Sequence, residues 1–250
     1  MKVFSHIENW QKIRKTLNGS LGFVPTMGAL HDGHLSLALR SRSENDRTIF
    51  SIFVNPTQFD NPQDLQNYPQ SLEQDLSKLK SAGVDFVLTP HFNDLYADNY
   101  QFQVQERQLS QLLCGAHRPG HFSGVLTVVL KLLNIAQAHK AYFGEKDYQQ
   151  YLLISQMVRA FFLPTEIVPC SIVRDTDGLA LSSRNLRLSP SERAMAPKLF
   201  ETIQSAASAE DAKKKLEGLG FKVDYIEDLF HRRFAAASLG QTRLIDNVPL

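Results

Sequence analysis

The chain has little of what would mark it as a small secreted or metal-stapled domain. Only two cysteines occur in 250 residues. Cys114 and Cys170 stand far apart among apolar neighbours, without the C-x-x-C or paired spacing of a redox or zinc site, and read as buried thiols outside any mechanism. There is no surplus of one charge: 27 basic against 26 acidic side chains leave a formal net charge of +1. Nor is there a block of like charges, so no broad electrostatic footprint for a nucleic acid or an anionic membrane is present. No apolar run approaches membrane-spanning length, and the opening "MKVFSHIENWQKIRK" lacks a signal-peptide core. The expectation is a cytoplasmic protein that binds its anions locally.

What is present is a regular alternation. Hydrophobic residues make up 43% and charged residues 21%, enough for a large core. "SLGFVPT" reads as a strand, "HLSLALRSRSEN" as a helix and "RTIFSIFVN" as a second strand. "YPQSLEQDLSKLKSAGV" then predicts a helix with Ser71 as N-cap, Leu72, Leu76 and Leu79 on one face and Gly83 as the stop. "DFVLTP", "KAYFG" and "TEIVPCSIV" are further strands, separated by helical "HFSGVLTVVLKLLNIAQAH" and "DYQQYLLISQMVRAFF". Apolar strands alternating with amphipathic helices predict an α/β fold: a Rossmann-like parallel sheet with helices on both faces. After Asn185 the texture changes. "SPSERAMAPKLFETIQSAAS" opens on a capping box from Ser189 to Glu192 and reads as one helix, "AEDAKKKLEGLG" as another, and "FKVDYIEDLF" and "TRLIDNV" as strands. This predicts a first domain over 1–175 and a smaller α+β C-terminal domain over 176–250, able to move against the first.

In parallel sheets, ligands bind beyond the carboxyl ends of the strands. The chemically unusual residues fall there, on four loops. In "PTMGALHDGH", Gly33 lets backbone approach a ligand, and the following helix points free amides at a phosphate beside His31 and His34. Loop histidines without a role, or half of a metal site, are the competing readings. "GEKDYQQ" offers Lys146 to phosphate and Asp147 to a ribose hydroxyl or a metal-bound water; a solvated helix start is the alternative. "LSSRN" presents Ser182, Ser183 and Arg184 for a leaving pyrophosphate, and helix capping competes for the serines. Asn55 and Gln58 in "VNPTQF", with Gln150, suit a small substrate carrying hydroxyls and a carboxylate.

The HxGH loop and the later serine-rich loop resemble the signatures of the nucleotidyltransferase superfamily. "PTMGALHDGH", "FVNPTQF", "RPGHFSGV", "FGEKDYQQ" and "LSSRN", in that order, are similar to the pantoate–beta-alanine ligase family from about residue 20 to 190, and more weakly through "VDYIE" and "RLIDN". The resemblance implies that ATP and (R)-pantoate, with Mg2+, form pantoyl adenylate, which the amine of beta-alanine converts to pantothenate and AMP. It implies ATP contacts from Met27, Gly28, Ala29, Leu30, His31, Asp32, Gly33 and His34, from Gly144, Glu145, Lys146 and Asp147, from Val173, and from Leu181, Ser182, Ser183 and Arg184. The implied catalytic set is His34 as acid, with His31, Lys146, Ser182, Ser183 and Arg184. Gln58 and Gln150 would hold pantoate, Gln58 also beta-alanine, and Asp75 the metal; a homodimer is implied too. The chain departs from the family pattern at Leu181, where methionine is usual, at Ser123, where arginine is frequent, and after Tyr96, where proline is usual; it also stops some tens of residues short of many members. Two rivals stay open: an adenylyl- or cytidylyltransferase acting on a phosphorylated small molecule, and a nucleotide-binding module without catalysis.

Overall fold

The computed structural model describes all residues from Met1 to Leu250. Six parallel strands form one sheet: β1 (Lys2–Phe4), β2 (Leu21–Thr26), β3 (Arg47–Ile52), β4 (Phe86–Leu88), β5 (Lys140–Gly144) and β6 (Glu166–Cys170), in the order β1-β4-β3-β2-β5-β6. Residue-by-residue alternation along the strands divides the core. Leu21, Phe23, Ile49, Phe86, Leu88, Ala141 and Phe143 face α1 (Ile7–Arg14), α7 (His121–Ala136) and α8 (Tyr148–Ala160). Val24, Phe50, Val87 and Tyr142 face the other way, toward α2 (Asp32–Glu44) and α4 (Leu72–Ser81). Both sheet faces are therefore covered, as the continuous apolar strands require.

The chain runs outward from β2 through β3 to β4, then returns to β5 on the other side of β2. The switch in direction opens a crevice at the carboxyl ends of β2 and β5, and the loops after those two strands are "MGALH" and "EKD".

Short helices α3 (Pro62–Gln66), α5 (Phe92–Leu95) and α6 (Cys114–His117) sit in the connections. The C-terminal unit is an antiparallel sheet of β7 (Lys222–Leu229), β8 (Arg232–Leu239) and β9 (Thr242–Pro249) with α10 (Lys198–Ser205) and α11 (Ala209–Gly218) on one face, preceded by α9 (Pro190–Met195). The capping box forms as expected, but the single helix expected beyond it is two. Pro197 intervenes because a proline inside a helix has no N–H to donate. Ser71 precedes α4 without capping it; its hydroxyl turns to Asp75 instead. Strands β1 and β8 and helix α1 go beyond the sequence reading. β8, with "AAA" at its centre, is a strand because β7 and β9 pair with it on both sides.

The two units are joined rather than merely adjacent. Tyr225, Phe234 and Ala236 of the small sheet belong to the same buried cluster as α7 and α8. Arg174, on the crossing segment, donates to both carboxylate oxygens of buried Asp246 at 2.6 and 2.9 Å and stacks over Phe200. Removing one partner of such a pair strands a buried charge, so Arg174→Met is expected to lower the unfolding free energy by about 3–5 kcal/mol. The double variant Arg174→Met, Asp246→Leu should recover much of that loss; urea denaturation of the three proteins checks both.

Candidate active site

The loop after β2 turns through two consecutive left-handed residues, Gly28 (φ 84°) and Ala29 (φ 51°), before His31 starts α2. Such a turn is strained at alanine and needs fixed partners. Asp75 of α4 supplies them: its two oxygens accept the N–H groups of Ala29 and Leu30, each at 2.8 Å, and Lys78 one turn later donates to the Leu30 carbonyl at 2.5 Å. The metal contact expected of Asp75 is thereby corrected. The residue is 1% exposed, both its oxygens are engaged, and it does not line the cleft.

With the loop fixed, His31 N–H donates to His34 Nδ1 at 3.3 Å, and the two rings lie 4.1 Å apart between centroids. An Nδ1 that accepts carries no proton, so the neutral His34 ring bears its proton on Nε2. Burial, then the neighbouring His31 ring, then Lys146 and Lys78 lower the His34 pKa to about 3. Burial, followed by Lys146, lowers that of His31 to about 4. Both imidazoles are therefore neutral hydrogen-bonding groups at physiological pH.

The amide of Gln58, in the turn after β3, is held at both ends: Asn55 Nδ2 donates to its Oε1 at 3.1 Å, and its Nε2 faces Met27 Sδ at 3.3 Å. Asn55 is anchored in turn by the Tyr96 hydroxyl at 2.9 Å and by the Gly124 carbonyl at 3.2 Å. A Cβ at Gly124 would stand 2.4 Å from the Thr57 carbonyl, so only glycine lets α7 approach this turn. His121 Nδ1 donates to the Gln58 carbonyl at 2.8 Å and Arg118 faces His121 Nε2 at 3.2 Å. After β5, Gly144 leads into the turn Glu145–Asp147 and the amino end of α8, where Lys146 lies 3.6 Å from Asp147.

These groups meet. One cleft of about 240 Å3 is lined by Met27, His31, Gly33, His34, Gln58, Gly144, Lys146, Asp147, Gln150, Val173 and Leu181 through Arg184. Gly28, Ala29, Leu30, Asp32 and Glu145 lie in the same loops without lining it, and Ala29 and Leu30 are buried as backbone support. The serine loop combines both earlier readings. Ser182 caps its own turn by accepting from Arg184 N–H at 3.3 Å, Ser183 meets Tyr68 at 3.2 Å, and Arg184 pairs with Asp64 at 2.8 Å. The Val173 carbonyl already accepts Leu181 N–H at 3.0 Å.

Comparison with known proteins decides the family. The model of pantoate-beta-alanine ligase matches residues 2–249. The chain belongs to the pantoate-beta-alanine ligase family. A pantothenate synthetase from Bdellovibrio bacteriovorus is 53% identical over 249 residues, covering 100% of this chain and 99% of the relative. One from Legionella pneumophila (strain Corby) is 51% identical, covering 99% of each. Among solved structures, the pantoate-beta-alanine ligase from Francisella tularensis, complexed with beta-gamma ATP and beta-alanine, superposes with a TM-score of 0.96 at 44% identity over 100% of this chain and 97% of that one. Pantothenate synthetase from Thermus thermophilus gives 0.93 at 39%, over 100% and 99%.

Within the ligase frame, the expected departures are mild. Leu181 keeps an apolar wall at the cleft, where methionine and leucine are near in volume. Ser123 lies outside the cleft, bonded to the Val104 carbonyl at 3.1 Å. The shortfall in length does not hold against these relatives, which the chain covers almost entirely. Arg118, His121 and Tyr68 line the cleft but were not assigned roles from sequence, although "RPGH" lies within a matched segment. Asn247 was missed as well: from β9 it donates to the Glu145 and Lys146 carbonyls at 2.9 and 3.1 Å, fixing the lysine loop from the second unit.

Three neutral rings give the ligase a pH signature. Burial, then the Arg118 charge, lowers the His121 pKa to about 4, beside His31 at about 4 and His34 at about 3. In the unfolded chain the same rings take up protons near pH 6.5, so between there and pH 3–4 the unfolded state binds more protons than the folded one. Stability should thus be full above about pH 6.5 and decline as the pH falls toward 4. Urea midpoints at pH 7.5, 6 and 5 check this. A flat profile would contradict it, and His121→Gln should make the slope shallower.

Proposed function

We propose that this chain condenses (R)-pantoate with beta-alanine at the expense of ATP, through pantoyl adenylate, releasing AMP and pyrophosphate. The observation that carries the reading is the convergence of the HxGH and "GEKD" loops at the topological switch point with two amides, Gln58 and Gln150, facing the same cleft. The family membership and the ATP- and beta-alanine-bound relative support the same reaction.

In the first step a pantoate carboxylate oxygen attacks the α-phosphorus of ATP and the bond to the bridging β-phosphate oxygen breaks. His34 Nε2–H and Lys146 face the charge that develops on the phosphoryl oxygens, and the amino ends of α2 and α8 add their free amides. Gln58 and Gln150 hold pantoate by its carboxylate and hydroxyls. In the second step the beta-alanine amine attacks the acyl carbon, the bond to AMP breaks and the amine loses its proton. No protein nucleophile is needed, and burial pushes the Cys170 thiol up to about 11, away from the reactive thiolate. Orientation of bound reactants is the larger contribution, on the order of 7–11 kcal/mol.

Asp147 is the one carboxylate lining the cleft. With a triphosphate bound, Asp147 would be the protein group on hand for a Mg2+ held mainly by phosphate and water, and the ion would supply charge neutralisation there. Residues 1–175 carry the pantoate contacts and most of the ATP contacts, and 176–250, which bring Leu181–Arg184 to the cleft, act as a small lid. Dimeric assembly rests on the family resemblance.

Pyrophosphate release from ATP should require pantoate, and AMP should accumulate only when beta-alanine or another acceptor is added. Pantoate-independent release, or a dinucleotide product, would favour the rival transferases. His34→Ala should slow adenylation by about 10²-fold, the scale of one lost preorganised donor, with the melting profile retained.

A further inference from the structure

Arg187 has no part in the chemistry above, yet it is built into the serine-rich turn. Its Nη1 donates to Asp64 Oδ1 at 2.6 Å, while Arg184 Nη2 donates to Oδ2 of the same carboxylate at 2.8 Å. All three side chains are 20–24% exposed. They line a second cavity of about 460 Å3 that shares Arg118, Lys146, Asp147, Ser182 and Arg184 with the cleft. Elsewhere on its wall the ion pairs are one to one: Arg118 with Asp60, Lys146 with Asp147, Arg243 with Asp224. Asp64 is the carboxylate there that serves two cations, so the corner carries surplus positive charge.

Guanidinium groups take phosphate oxygens in the same geometry as carboxylate oxygens. Burial raises the Asp64 carboxyl, but hydrogen bonds and charge from Arg184 and Arg187 outweigh it and keep the group ionised. Its carrier α3 is five residues long with none buried, a segment that separates from the body at little cost compared with a core element.

We propose that Arg184 and Arg187 together form a receiving site for the departing pyrophosphate, and that Asp64 occupies this site between turnovers. The inference rests on the adenylation reading. As the bond to the α-phosphorus breaks, the anion moves from the shared wall at Arg184 toward Arg187 and the second cavity, and the return of Asp64 displaces it.

Calorimetric binding of inorganic pyrophosphate to the free protein, without ATP or pantoate, tests the site. Arg187→Gln is expected to weaken pyrophosphate binding about tenfold and Arg187→Lys to restore most of it, while Asp64→Asn, which removes the internal competitor, tightens it about tenfold. Unchanged affinity in Arg187→Gln would overturn the proposal. So would weakening in Asp64→Asn, which would make Asp64 a brace for the arginines. Should Asp64→Asn fail to fold, the two Arg187 variants decide alone. Because no turnover is involved, a negative result leaves the ligase reading intact, whereas absence of pantoate-dependent pyrophosphate release in the unaltered protein would strike that reading and not this binding.

Discussion

A single buried carboxylate holds the reactive loop in place. Asp75 accepts the N–H groups of Ala29 and Leu30 at the point where the backbone runs left-handed through Gly28 and Ala29. Hydrogen bonds to a charged group are worth roughly 1.5–3 kcal/mol each, and a buried N–H left unmatched costs about as much, so the turn is stable only with this acceptor. Lys78 grips the Leu30 carbonyl from the same helix. α4 lends no side chain to the cleft, yet it decides where His31 and His34 point.

The consequence is electrostatic. Once His31 N–H is aimed at His34 Nδ1, the proton of the neutral ring belongs on Nε2, and the enclosed setting keeps the ring from charging. A fixed neutral donor needs no reorganisation as phosphoryl charge develops, which is the property that preorganised sites exploit. Around it, Asn55 holds the Gln58 side chain and His121 its carbonyl, both from the cleft wall, while the Gly124 carbonyl anchors Asn55 and Asn247 fixes the lysine loop from behind.

Much of this was legible in the chain itself. Five of the six parallel strands read as apolar runs because both sheet faces are covered, and the cleft-lining loops follow strands because the topology sends them to one end. Other features were not legible, for physical reasons. β8 is alanine-rich and owes its state to the strands on either side, not to its own propensity. The role of Asp75 depends on amides 45 and 46 positions away, a contact that the family resemblance, which implied a metal ligand there, does not reveal. Asn247 acts through main-chain carbonyls of a distant loop, which leave no trace in sequence spacing. At the serine loop capping and pocket lining were treated as rivals, whereas Ser182 does both.

The most direct measurement is the ring-nitrogen NMR spectrum of His34 in uniformly 15N-labelled protein near neutral pH, assigned with His34→Gln. The account predicts a neutral ring with a protonated Nε2 and an unprotonated, hydrogen-bond-accepting Nδ1, persisting to below pH 5. An imidazolium pattern at neutral pH, or a proton on Nδ1, would contradict it.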